Sequence, residues 1–289
     1  KDEFESLFGK LYIGENPTPE RNSYLILHLN FAMISAGLDD YKNGLDAHCC
    51  NKFNLFCNRY ANLLPPGVKK EMNQKEDAVA QLGFLCDQCA EAGLKIYLFI
   101  DEYDNFTNMI LSNEKHLVRY RKQTHGEGYL RKFFNTIKGA AGGSLARVFV
   151  TGVSPVTMDD LTSGFNIGTN YSLSPCFNDL TGFTEEEVRE MLEYYTGILP
   201  FNHTIDELIG VMKPWYDNYC FAEEEYGKST MYNSVMVLNF LTNYIDSGCR
   251  IPKKMVEPNI RMDYDKLRML IRHDKNFSHD ASIIQQLVT

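Results

Sequence analysis

Three short apolar runs, separated by stretches long enough for helices, constrain the fold of this chain more than any other feature of its sequence. The runs are YLILHLNFA at 24–32, KIYLFI at 95–100 and ARVFVTGV at 146–153. Runs of this length and composition predict buried β-strands. Strands that alternate with helices are typical of an α/β protein, so we predict a parallel sheet flanked by helices.

Helical periodicity predicts the elements between the apolar runs. Helices are expected at 39–64, 75–92 and 126–141. The first ends at Pro65-Pro66-Gly67 and the second at Gly93, because proline and glycine commonly terminate helices. A fourth strand is expected to start at 170–173.

The pattern changes after Pro175, where helical periodicity replaces the strand signals. Helices are expected at 184–195, 205–212, 234–245 and 264–271. Thr184 and Glu187 have the spacing of a capping box, which predicts where the first of these helices begins. We therefore predict an α/β core over 1–177, and an all-helical lid region over 178–289 that includes the start of a further C-terminal helical segment.

Charge and hydropathy exclude several classes of function. The 289-residue chain carries 29 Lys and Arg against 38 Asp and Glu, a net charge of −9, and it has no long basic tract. This argues against general nucleic-acid binding through this segment. No apolar run reaches the roughly 18 residues that span a bilayer, and the first residues lack a signal peptide's apolar region. We expect no membrane association and a cytoplasmic location.

The eight cysteines are interpreted as reduced core residues. Cys86 and Cys89 have CxxC spacing, and with His48, Cys49, Cys50 and Cys57 they leave open a zinc site or redox chemistry. However, no second tight pair follows, and the CxxC pair lies within a helical pattern. Core packing is therefore the favoured interpretation.

The segment LFIDEYD, at 98–104, carries the strongest chemical signal. Ligands of open α/β sheets bind at the carboxyl ends of the strands, where Asp101 and Glu102 are expected to lie. This is a Walker B arrangement, in which Asp101 would hold Mg²⁺ directly or through water and Glu102 would orient the attacking water. The alternative is that these acids are only turn residues after a strand.

The third apolar run ends with polar residues at the same predicted edge. Thr151 and Ser154 are candidates for positioning a catalytic water or contacting a γ-phosphate, although short polar residues are also common at strand ends. The sequence has no GxxxxGK[ST] phosphate loop. By motif alone, the acids of a phosphate-transfer site are present and its phosphate loop is missing.

Several segments together resemble the AAA-ATPase-like family of bacterial P-loop proteins, which are often joined to a C-terminal PD-(D/E)XK nuclease-like domain. They are FxxLFGKLYIGENPTPERNSYLILHLNFA, KIYLFIDEYDNF, RVFVTGVSPVTMDDLTSGFNIGTNYSL, LTGFTEEEVREML, PWYDNYCF and MYNSVMVLNFL. The resemblance implies a P-loop NTPase-like core that uses ATP and Mg²⁺. It assigns Asp101 and Glu102 as Walker B acids, and 151–154 as the sensor segment with Thr151 and Ser154. It also implies that this sequence begins after the family's phosphate loop, which has the form RPRRFGKS.

Other polar and aromatic residues receive structural interpretations first. The resemblance places the loop 158–166 near the nucleotide, but Asp159, Asp160 and Arg147 are interpreted mainly as structural. The aromatic residues of PWYDNYCF, at 214–221, are expected to pack in the core of the lid region rather than contact a ligand.

Two functions remain open from the sequence. The first is an ATP-driven switch, and the alternative is a non-catalytic interaction scaffold that retains the NTPase fold. The partner is an unknown protein or a second copy of the chain. Because the resemblance places the phosphate-loop strand inside the sheet, we also expect a strand to fill the position beside 147–153, supplied by an N-terminal fragment or from elsewhere.

Overall fold

The structure, a computed structural model, describes residues 2–34, 40–105, 128–152 and 168–256. The described residues fall into two compact units, one before residue 168 and one from Gly168 onward. Each unit has its own hydrophobic core. No helix among the described residues is both long enough and apolar enough to cross a membrane.

In the first unit, the described strands form a three-stranded parallel sheet. Its strands are β1 (Leu25–Asn30), β2 (Ile96–Asp101) and β3 (Leu145–Val150), in the order β1-β2-β3. The three predicted strands are therefore confirmed, and so is the α/β class. The register places Asn30 beside Asp101 and Ile100 beside Val150.

The described residues of this unit form six helices and a 3-10 turn at Phe31–Met33. They are α1 (Asp2–Phe8), α2 (Tyr12–Glu15), α3 (Tyr41–Arg59), α4 (Val68–Met72), α5 (Ala78–Glu91) and α6 (Tyr129–Ala140). The side chain of Asp77 accepts a 2.9 Å hydrogen bond from the Ala80 N–H, which explains why α5 begins where it does. The predicted helix at 39–64 is shorter than expected and ends at Arg59.

One face of the sheet forms the core with α3, α5 and α6. Alternate residues of β1 and β2 point to this face and are buried, among them Leu27, Leu29, Leu98 and Ile100. Cys86 and Cys89 also belong to this core, as the packing interpretation predicted. Burial raises the pKa of each of these two thiols to about 12, so both are protonated at neutral pH.

The opposite face of the sheet, which we call the open face, is aromatic and partly exposed. Its rows across β1, β2 and β3 are Ile26, Tyr97 and Arg147, then His28, Phe99 and Phe149. The rings of Tyr97 and Phe99 stack at 4.2 Å, and Phe149 is 48% exposed. Parallel sheets usually have both faces covered by helices. With the strand order β1-β2-β3, right-handed crossovers put the β1–β2 and β2–β3 connections on the same face of the sheet. These two connections therefore do not cover the open face.

The two edges of the sheet differ. At the β1 edge, the Ile26 N–H donates a 2.9 Å hydrogen bond to the hydroxyl of Tyr60, which follows α3. At the β3 edge, no described strand pairs with the outer side. The described residues do not supply the strand expected there, so its source, an N-terminal fragment or a strand from elsewhere, stays a prediction. Arg147 forms a surface ion pair with Glu20 at 2.8 Å, in agreement with its structural interpretation.

Between residues 168 and 256, the second unit has three helices and a small antiparallel ribbon. The helices are α7 (Glu185–Thr196), α8 (Ile205–Tyr216) and α9 (Ser234–Asp246), and the strands are β4 (Asp217–Tyr219) and β5 (Met231–Tyr232). Two short 3-10 helices lie at Pro175–Leu180 and Glu223–Glu225. The capping box predicted at Thr184 and Glu187 is confirmed, and Thr204 and Glu207 form a second one. The predicted helix at 264–271 lies outside the described residues.

Two features of this unit correct the sequence analysis. Residues 170–173 form a turn rather than a strand, because the side chain of Asn170 accepts a 2.9 Å hydrogen bond from the Ser172 N–H. The ribbon β4–β5 interrupts the region that was predicted to be all helical. Its strands of three and two residues are too short to show an alternating pattern.

The aromatic residues of 214–221 do not all pack as predicted. Tyr216 is buried in the core of the second unit, and its hydroxyl donates a 2.6 Å hydrogen bond to the Met255 carbonyl. Trp215, in contrast, is 53% exposed. The core interpretation is confirmed for Tyr216 and wrong for Trp215, which lies on the outer side of α8.

Glu185 links α7 and α8 and gives a first test of the structure. Hydrogen bonds from Lys213 (2.6 Å) and Arg189 (3.0 Å) lower the pKa of Glu185. We expect Glu185→Gln to lower the free energy of unfolding at pH 7 by no more than about 1 kcal/mol, since solvent screens the pair. This contribution is full above the unfolded-state pKa of about 4.3 and is lost as the pH falls through the lower folded-state pKa.

Urea denaturation of Glu185→Gln and the wild-type chain across this pH range measures the effect. Glu186→Gln is the matched control, because Glu186 lies in the same first turn of α7 but is exposed. A difference between Glu185→Gln and the wild type that stays constant down to pH 3 would contradict the role of ionised Glu185.

Candidate functional site

A row of three polar side chains, which we call the polar layer, lies on the open face at the carboxyl ends of the strands. The Asp101 carboxylate accepts a 2.6 Å hydrogen bond at Oδ1 from Thr151 Oγ1. It accepts a second one, of 3.0 Å, at Oδ2 from Asn30 Nδ2. The layer therefore joins the ends of all three strands through one carboxylate.

Strand register produces this layer. Asn30 ends β1 directly beside Asp101, which ends β2. Thr151 follows β3, and its N–H donates a 2.8 Å hydrogen bond to the Ile100 carbonyl, which extends the pairing by one residue. All three residues lie one row beyond His28, Phe99 and Phe149, because side chains two positions apart share a face.

Glu102 follows Asp101 in a left-handed backbone conformation, with φ of 54°. For a residue with a Cβ this conformation costs roughly 1–2 kcal/mol. The Glu102 carbonyl accepts a 2.9 Å hydrogen bond from the Asn105 N–H, so the strained residue opens a tight turn. Strain of this kind concentrates at functional sites. The turn therefore begins immediately after Asp101.

Gly152 allows the segments that follow β2 and β3 to pack together. A Cβ on Gly152 would lie 2.4 Å from Tyr103 Cε1 and 2.6 Å from Asp104 Oδ1, which is too close for any side chain. The Tyr103 N–H also donates a 3.1 Å hydrogen bond to the Thr151 carbonyl. Tyr103 and Asp104 are both buried. The position beside Thr151 therefore requires glycine.

The structure brings some of the predicted site residues together. Asp101 and Thr151 are in contact, and Glu102 is the next residue in the chain. Ser154, Asp159, Asp160 and the loop 158–166 lie outside the described residues. Sequence analysis missed Asn30, although its position as the polar end of an apolar run, like Asp101 in β2, could have indicated a role.

The polar layer limits what could hold a metal ion. Asp101 offers carboxylate oxygens, which Mg²⁺ prefers. A carboxylate has about four acceptor positions, and the two hydrogen bonds from Asn30 and Thr151 leave room for a metal ion or its bound water. No group of three or more His, Cys, Asp or Glu with a metal-binding arrangement occurs among the described residues. A magnesium ion at Asp101 would thus take most of its ligands from water and from bound phosphates.

A parallel sheet flanked by helices, with acids at the carboxyl end of its central strand, defines the first unit as a P-loop-like α/β unit. A family model described as "Predicted AAA-ATPase" matches residues 1–162, and the chain belongs to this AAA-ATPase-like family. Comparison with curated proteins and with solved structures gave no match.

Proposed function

We propose that the protein is an ATP-binding and ATP-hydrolysing switch in which Asp101 and Glu102 are the Walker B acids. The observation that supports this most directly is the hydrogen bond between Asp101 and Thr151. It places an acid at the end of the central strand in contact with a polar residue of the neighbouring strand. In sheets of this type that edge is the ligand-binding edge.

Each residue has a defined part in the proposed reaction. Asp101 would hold Mg²⁺ directly or through water, and the ion would neutralise charge on the β- and γ-phosphates. Glu102 accepts a hydrogen bond from the attacking water and orients it toward the γ-phosphate. Thr151 holds the carboxylate of Asp101 in place and is proposed to position the attacking water or contact the γ-phosphate. Ser154, from the same predicted sensor segment, is proposed to assist there.

The proposal requires a phosphate-binding loop, and the sheet has a suitable place for one. A strand paired with the outer side of β3 would bring its own carboxyl end beside Thr151. If this strand precedes β1 in the chain, its connection to β1 crosses the sheet in the direction opposite to the connections from β1 to β2 and from β2 to β3. A right-handed crossover in that direction passes over the opposite face of the sheet. Its helix would then cover the open face, including the exposed ring of Phe149.

The same open face favours a second candidate function, a non-catalytic interaction scaffold. Exposed apolar and aromatic surface is typical of protein interfaces. On the open face, the side chain of Phe149 is 48% exposed and that of Ile26 is 37% exposed. A protein partner or a second copy of the chain could cover this face. The two functions differ in chemistry, because only the switch needs Asp101 and Glu102 to contact a nucleotide complex.

Calorimetric titration with Mg·ATP distinguishes the two functions. We expect the 289-residue chain to bind Mg·ATP only weakly, since a phosphate loop supplies most N–H donors and the lysine that contact the phosphates. A form that includes a phosphate loop is expected to bind Mg·ATP and hydrolyse it. Micromolar affinity of the 289-residue chain would contradict the first expectation. Absence of hydrolysis in the longer form would favour the scaffold.

A further inference from the structure

We infer that Asn30 is a positioning residue that sets the orientation of the Asp101 carboxylate for metal binding. This inference rests on the proposed function, in which Asp101 holds the metal ion. Asn30 lies on a different strand, and 71 positions separate it from Asp101 in the sequence. The contact between them exists only because β1 and β2 pair in the observed register.

The amide of Asn30 has a defined orientation. Its Oδ1 accepts a 2.9 Å hydrogen bond from the Ala32 N–H, and a backbone N–H can only donate. The Nδ2 group must therefore be the end that faces Asp101, where it donates to Oδ2. The Phe31–Met33 turn, which contains Ala32, thus fixes the amide from one side.

The two donors define the plane of the carboxylate. Thr151 holds Oδ1 and Asn30 holds Oδ2, so rotation of the Asp101 side chain would break at least one hydrogen bond. Groups that orient a metal ligand commonly change metal affinity by about 10- to 100-fold when they are removed. Without Asn30, the carboxylate would keep its charge but lose one of its two fixed contacts.

The experiment is a Mn²⁺ titration of the ¹⁵N-labelled 289-residue chain, with Mn²⁺ replacing Mg²⁺ as a paramagnetic probe. Broadening of the backbone amide signals of residues 100–103 reports Mn²⁺ at Asp101. The broadening that disappears in Asp101→Asn is the part that depends on the Asp101 carboxylate. We expect Asn30→Leu to weaken this binding by about tenfold. Asn30→Ser is expected to do the same, because its hydroxyl can still accept from the Ala32 N–H but is too short to reach Asp101.

Asn54→Leu is the matched control. Asn54 is also half-buried and donates a 2.9 Å hydrogen bond from its amide, but to the Cys50 carbonyl within α3 and not to Asp101. We expect this control variant to bind Mn²⁺ with unchanged affinity. Its midpoint of thermal unfolding should fall about as much as that of Asn30→Leu. Equal Mn²⁺ affinity in the wild type and both Asn30 variants would overturn the inference alone. A wild type that shows no broadening at 100–103 would overturn the metal role of Asp101, and the inference with it.

Discussion

Replacing Glu102 by glutamine is expected to slow ATP hydrolysis by at least about a hundredfold in a form of the protein that carries the phosphate loop. The amide has nearly the same shape as the carboxylate but cannot accept a proton or polarise water as well. Because the carboxylate acts on water in the transition state, ATP affinity should stay nearly unchanged. Steady-state turnover and calorimetric ATP binding, measured on the same samples, separate the two effects.

Three further variants sharpen this experiment. Asp101→Asn is expected to weaken Mg²⁺-dependent binding, and Glu91→Gln, at the exposed end of α5, should behave as the wild type. Glu102→Gly should also lose turnover, yet gain about 1 kcal/mol in stability because glycine accepts the left-handed φ of 54°. Full turnover in Glu102→Gln would show that the assignment of Glu102 is wrong.

Gly152→Ala is expected to destabilise the first unit by about 2–3 kcal/mol. The new Cβ would lie within 2.6 Å of Tyr103 and Asp104, both buried, so one of the two segments after β2 and β3 must move. That movement would also pull Thr151 away from Asp101. Urea denaturation, followed by circular dichroism, measures the loss of stability.

Gly139→Ala is the matched control for this prediction. Gly139 lies in α6, and a Cβ there would meet no atom within 4 Å. Because alanine is the better helix former, this variant should be more stable than the wild type by up to about 1 kcal/mol. If Gly152→Ala were as stable as Gly139→Ala, the close packing beside Thr151 would not exist in solution.

The strands of the first unit could be predicted from the sequence because their apolar runs are short and bounded by polar residues. The ends of these runs also indicated Asp101 and Thr151, since parallel strands end at one edge. The polar position of Asn30 could have indicated a role, but its contact with Asp101 could not be predicted, because that contact depends on the register of two strands that pair over a long sequence separation. The left-handed φ of Glu102 could not be predicted either, since glutamate gives no local sequence signal for that conformation.

In the second unit, the failures have local causes. Residues 170–173 were expected to start a strand, but the side chain of Asn170 stabilises a turn. Trp215 was assigned to a core because aromatic residues usually pack, yet its position on α8 faces outward while the adjacent Tyr216 faces inward. Helical phase decides between the two, and the density of aromatic residues does not.

The unequal edges of the sheet also set an order for its assembly during synthesis. Tyr60 is translated before β2, so the hydroxyl that covers the Ile26 N–H is available before β1 has a strand partner. Each later strand, β2 and then β3, leaves the ribosome after the neighbour with which it pairs. Since domains fold as the chain emerges, the three described strands can pair in the order of their synthesis, from β1 toward β3.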